Sequence, residues 1–271
     1  MSWNEYFGRK NRLHLEAATI SRYIEILDEI VTTPVQYTWW LRVFTTSMIS
    51  GLAAILVFQG TLVDSLVSLI LGTFTGICVI LMEKFPIVPV EVLVAFVVSI
   101  FSQLIRSRIF SQEDLCLGVI TLSPMITMYP GVAMTLSMLE LSSKNMNAGT
   151  VRMFYSFILS LKLGFGLSLG SRLIKWLTGD AAKTHCSTTG RALTPYAVML
   201  VLPFAILVCI QLKGHMRQVP MMYVTSLCGF VAHKVALFFF APEISYVLSA
   251  FVIGVVSNIY ARKNNDIAIA R

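Results

Sequence analysis

Apolar residues fall along this chain in blocks of about 20, parted by short stretches rich in Lys, Arg, Asp, Ser and Pro. That block length is what a helix needs to cross a hydrocarbon core about 30 Å thick. The pattern predicts about eight spans, at 38–58, 62–82, 87–105, 117–138, 150–172, 193–212, 219–240 and 243–260. Connections are short except at 106–116, 139–149 and 173–192. Ahead of the first span, residues 11–31 follow a helical period. Leu13, Ala17, Ile20, Ile24, Leu27 and Val31 form one stripe, Arg22, Glu25 and Glu29 point elsewhere, and Pro34 ends the run. This segment reads as an amphipathic helix lying near the membrane surface.

Composition agrees with that picture and narrows it. Of 271 residues, 56% are hydrophobic and 13% are charged, too few polar side chains to cover a water-soluble domain of this size. The expected solvent is a lipid bilayer. The net charge of +7 does not imply nucleic acid, because Lys and Arg gather in the connections, where retention on the cytoplasmic side places them. With the N-terminus in the cytoplasm, that side receives 12 of them, including Lys84, Lys144, Lys213 and Arg262. The other side receives 6, including Arg106, Arg172 and Lys175, so both termini are expected in the cytoplasm. The five cysteines are odd in number, and Cys78, Cys209 and Cys228 lie in apolar segments, so no disulfide framework is expected. The first 36 residues carry charge throughout, and no cleaved signal peptide is expected. No spacing suggests a metal site or cofactor. No His-Glu-x-x-His, nucleophile elbow or catalytic carboxylate pair appears, so the chain does not read as an enzyme.

Two stretches echo each other. Residues 94–108 read VAFVVSIFSQLIRSR and residues 249–263 read SAFVIGVVSNIYARK, with Ala-Phe-Val and a later Ser in register and Gln103 opposite Asn258. Upstream, LVSLILG ending at Gly72 resembles YVTSLCG ending at Gly229 at nearly the same offset. The third span thus matches the eighth and the second the seventh, which makes the unit five spans long. An odd unit places its copies in opposite orientations, the inverted-repeat design of many secondary transporters. The expected fold is all-α and polytopic, with an incomplete second copy. Its parts are an N-terminal segment (1–36), a five-helix repeat (37–177), a loop (178–192), a partial repeat (193–263) and a tail (264–271).

Three features could carry chemistry. Ser123-Pro124 and Tyr129-Pro130-Gly131 should break the fourth span, because Pro130 lacks a backbone donor and clashes with the preceding turn. Small residues, Ser68, Gly72 and Gly76 in the second span and Gly166 and Gly170 in the fifth, suit close helix contacts. Asp64, Glu91, Lys162, His233 and Lys234 are ionisable residues within spans, each costly in hydrocarbon unless paired or hydrated. Lys162 shares a helical stripe with Tyr155 and Gly166, expected to face the bundle interior. Asp64 and Glu91 lie near span ends, within reach of interfacial water. His233 is expected to be a satisfied core histidine.

Residues 126–170 resemble the signature of the threonine/serine exporter-like (ThrE-like) family, most closely its fungal branch, the pheromone-regulated membrane proteins. The resemblance is carried by Pro130-Gly131, Leu139-Glu140-Leu141, Asn145, Gly149, Arg152-Met153-Phe154-Tyr155 and the run 163–170. It extends through 26–30, 37–40, Asp64, Leu71-Gly72, Glu91, 218–222 and 254–260, covering about 21–263. It implies a transporter of two five-helix halves, whose bacterial members export threonine and serine with the proton gradient. The family pattern has a longer soluble region before the membrane part and two further helices after it. On this resemblance, Pro130 and Gly131 open a substrate site midway through the membrane. Glu140, Asn145, Arg152 and Tyr155 serve as gate or clamp with Lys162, and Asp64 or Glu91 carries the proton. The partners implied are small amino acids such as threonine or serine. The alternative is a non-transporting membrane subunit or scaffold, completed by a second copy or a separate chain.

Overall fold

All regular structure among the described residues is helical. The computed structural model describes the backbone of residues 38–84, 90–108, 115–178, 194–212 and 219–264. Residues Trp39–Arg271 form one compact unit; the other, Met1–Thr38, contains the surface helix expected at 11–31 and, apart from Thr38, lies outside the described residues. The helices are α1 (Trp39–Leu56), α2 (Leu62–Lys84), α3 (Val90–Arg108), α4 (Leu117–Leu122), α5 (Gly131–Ser142), α6 (Met146–Thr178), α7 (Thr194–Gln211), α8 (Val219–Phe239) and α9 (Pro242–Asn264). Five stretches are long and apolar enough to cross a bilayer: Trp39–Leu56, Leu62–Leu81, Val90–Ser107, Met146–Leu177 and Val219–Phe239. Gly131–Ser142, Val198–Gln211 and Ile244–Tyr260 are shorter apolar helices. The protein is an all-α, multi-pass integral membrane protein.

The stretch expected as one span at 117–138 is three pieces. α4 stops at Leu122, a 3₁₀ turn occupies Ser123–Met125, and α5 begins only at Gly131. Pro124 and Pro130 each remove a backbone donor, so the chain tightens to short-range bonds, Ile126 N–H to Ser123 C=O at 3.2 Å and Met128 N–H to Met125 C=O at 2.9 Å.

Helix contacts rest on small residues and hydroxyl-to-backbone bonds. Lipid tails are as apolar as leucine, so close packing must supply what the hydrophobic effect supplies in water. Between α1 and α2, Ser50 Oγ donates to the Ser68 carbonyl (2.7 Å), Ser47 Oγ to Leu69 (2.8 Å) and Ser65 Oγ to Gly51 (2.8 Å). A Cβ at Gly72 would stand 2.5 Å from that of Ser50. Between α3 and α6, Ser99 Oγ donates to the Leu167 carbonyl (3.0 Å), and a Cβ at Gly166 or Gly170 would collide with the carbonyl of Val92 or Phe96. α7 packs on α1 through Leu56 and Val201, joined by Phe204, Tyr223 and Phe230.

Cys116 is disulfide-bonded, while Cys78 and Cys228 are free. No disulfide framework was expected, and Cys116 adds a bridge that the pattern did not point to. An odd count excludes complete pairing but not a single bridge, and Cys116 is the N-cap of α4, at a helix end rather than inside an apolar block.

Candidate functional site: an ion pair beside a broken helix

α6 runs 33 residues, about 50 Å at 1.5 Å per residue. It changes partner partway along. Lys162 pairs with Glu91, and Gly166 and Gly170 pack successively on Val92, Phe96 and Ser99, so α3 and α6 run parallel from Lys162 onward. Before Lys162 there is no α3 beside it, because α3 begins at Val90. There the partner is α5, whose Leu141 and Ser137 backbone atoms press against Gly149. The handover lies at the break: Met125 and Met128 pack with Val94, Val98 and Leu163.

At this handover Lys162 Nζ stands 3.9 Å from Glu91 Oε2, with both side chains half-buried. A lone charge at bilayer depth costs about 3 kcal/mol, and opposite partners within 4 Å offset each other. Nearby, Thr127 Oγ1 is buried and has no hydrogen-bond partner. Gly131 N–H closes only a tight turn onto the Tyr129 carbonyl (2.8 Å), and nothing lies within 4 Å of where a Gly131 side chain would point. The first amides of α5 are unpaired within the helix, as in any helix start, and carry its positive dipole end. The site therefore offers one carboxylate, one ammonium and a helix N-terminus around a non-helical segment.

The structure separates the other predicted residues into two groups. Arg152 Nη2 lies 3.0 Å from Glu140 Oε1, tying α5 to α6 near their shared turn. That turn closes as a Schellman cap: Lys144 N–H bonds Leu141 C=O (3.1 Å), Asn145 N–H bonds Glu140 C=O (2.9 Å), and Lys144 has φ 64°. Asn145 is thus the hinge residue between the helices, with an exposed side chain. Tyr155, expected to face the interior with Lys162, is instead 60% exposed. The stripe is continuous on the helix, but Tyr155 lies before the stretch of α6 that α3 covers, and α5 leaves its side chain exposed.

Asp64 belongs to a third place. Expected near interfacial water, it is 1% exposed. Its Oδ2 accepts from Thr61 N–H (2.8 Å) and Thr61 Oγ1 (2.9 Å), and its own N–H donates to Thr61 Oγ1 (3.2 Å). This is a capping box opening α2. Its Oδ1 accepts from Cys116 N–H (3.0 Å), which ties the α1–α2 turn to the start of α4. Thr61 is the functional residue the span pattern alone does not reveal, although Thr-x-x-Asp before an apolar run is a helix-start signal. Among the described residues, no group of three His, Cys, Asp or Glu could hold a metal ion.

Residues 11–174 match the family model described as ThrE, "Putative threonine/serine exporter". An uncharacterized protein of Schizosaccharomyces pombe is 29% identical over 98% of this chain and 33% of its own length. Pheromone-regulated membrane protein 10 of Saccharomyces cerevisiae is 31% identical over 90% of this chain and 64% of its own. Its namesake in Pichia sorbitophila is 30% identical over 90% of this chain and 25% of its own. The chain therefore spans between a quarter and just under two thirds of the length of these relatives. No solved structure matches it.

Proposed function

The chain belongs to the threonine/serine exporter family, and from that premise we propose that it is a secondary transporter moving small amino acids or similar polar solutes with a proton. The observation that carries this reading is the Glu91–Lys162 pair at the broken helix. A zwitterionic amino acid needs an acceptor for its ammonium and donors for its carboxylate. Glu91 supplies the first, and Lys162 with the leading amides of α5 supplies the second. Substrate and the ion pair then compete for the same two charges. Protonation of Glu91 releases Lys162 and changes which state the pair favours. Glu91 suits this part better than Asp64, whose two oxygens already hold three donors and which serves as a structural clamp. Glu140 and Arg152 act as the clamp between α5 and α6 on the approach to the site. In this reading the apolar helices make eight crossings in two opposed repeats, with both termini in the cytoplasm.

The test is flux of labelled threonine and serine in proteoliposomes holding the full chain, under an imposed pH gradient. Gradient-driven flux that Glu91→Gln uncouples from the gradient supports the reading. Folded protein without flux would overturn it in favour of a second one, a non-transporting subunit completed by another chain. One observation favours that rival: the face of α9 around Gly254 has nothing within 4 Å of the glycine.

A further inference from the structure

His233 sits on α8 and is 8% exposed, yet neither Nδ1 nor Nε2 has a hydrogen-bond partner among the described residues. A buried polar group without a partner costs about 1–3 kcal/mol, and an imidazole has two such groups to satisfy. The ring stacks on Tyr246 of α9, with centroids 4.7 Å apart and planes 20° from parallel. Ser245, next to Tyr246 on α9, is itself fully buried. α9 packs chiefly on α8, so this stack lies in the seam through which α9 is held. Below it, Gly229 admits the side chain of Ile253.

The charged and titratable neighbours are few among the described residues. Lys234, next on α8, lies over the Phe230 ring, 5.6 Å from its centroid. Tyr246 is the described titratable group that α9 brings to the ring. α7, also packed on α8, carries no acidic or basic residue. The ring therefore meets an apolar, aromatic seam.

We propose that His233 is a proton-binding site at the α8–α9 seam, exchanging a proton as the two helices shift against one another. Taking up a proton converts the ring to an imidazolium with two N–H donors and no acceptor lone pair. A small shift of α9 brings the Ser245 backbone into bonding range of one donor, and the Tyr246 ring face receives the cation. Losing the proton removes the reason for that contact and returns the present packing. The seam is thus a two-state joint biased by pH. By the repeat register Tyr246 stands where Glu91 stands in the first half, so each half would carry one titratable joint at the start of its third helix. The consequence for transport rests on the transporter reading above; the protonation itself does not.

The experiment is ¹⁵N-histidine NMR of the full chain in nanodiscs across pH 5–8. A variant with His14→Gln, His185→Gln and His215→Gln leaves His233 as the sole histidine and assigns its signal without touching the seam. The expected result is a single ring passing from neutral to charged within that range, with a matching shift of the Tyr246 ring signals. A ring that stays a neutral tautomer throughout, or charges with no change at Tyr246, overturns the proposal. In proteoliposomes His233→Gln is expected to flatten the pH dependence of flux at least fivefold. If the wild-type chain shows no flux, the NMR result still decides this proposal, while the transporter reading fails separately.

Discussion

In α3, Ala95 and Val98 are fully buried and Ser99 is 2% exposed. At the matched positions of α9, Ala250, Ile253 and Gly254 are all exposed. The two helices share a sequence pattern and differ in environment. What separates them is the partner. α6 brings Gly166 and Gly170 to α3 at the right heights, so its backbone can reach Val92, Phe96 and Ser99. α9 meets α8, where Gly229 makes room, and among the described residues nothing covers its small-residue face at Gly254. A run of small residues makes close approach available, and a second helix with its own gaps decides whether the approach happens. The site follows the same division: an ion pair sits where α3 is covered, and a partnerless histidine sits where α9 meets α8.

Five substitutions test that contrast, with Gly254→Leu as the control for Gly166→Leu and the others in descending order of effect. Lys162→Met leaves Glu91 without its partner and is expected to abolish flux at unchanged yield of folded protein; normal flux would remove Lys162 from the mechanism. Gly166→Leu drives a side chain into the Val92 backbone and should cost about 3 kcal/mol or more, read as a large drop in Tm in detergent. The control Gly254→Leu, on the uncovered face of α9, should stay within about 0.5 kcal/mol, and equal losses at the two positions would erase the contrast. Asp64→Ala strips acceptors from the Thr61 and Cys116 amides and should cost about 2 kcal/mol. That loss should appear in thermal unfolding even where flux per folded molecule is retained. Lys144→Gly relieves a left-handed residue at the α5–α6 turn and should raise stability by about 1 kcal/mol, a small upward shift of Tm.

Much of this was legible in the chain. Apolar block length revealed the helices, and Pro124 and Pro130 marked the interruption, because both signals are local. The length of the interruption was not legible, since replacing α-helical bonds with short turns from Ser123 onward depends on how Met125 and Met128 pack against α3 and α6. Lys162 and Glu91 could be singled out separately as costly charges. Their pairing could not, because it depends on α3 and α6 running parallel in one particular register. Asp64 falls within reach of interfacial water by its place near a span end; only the fold brings the Cys116 amide to it. Tyr155 was misplaced for the converse reason: periodicity gave the stripe but not where the neighbouring helix begins. His233 looked like an ordinary core histidine until the absence of partners on α8 and α9 became visible.

The central claim is that Glu91 and Lys162 work as a pair at the broken helix, and a charge swap tests it most directly. Flux in proteoliposomes would be compared for wild type, Glu91→Lys, Lys162→Glu and the double variant. The account predicts that each single variant, with two like charges facing at about 4 Å, loses flux, and that the double variant recovers a measurable part. A double variant as inactive as the singles, although equally well folded, would contradict it.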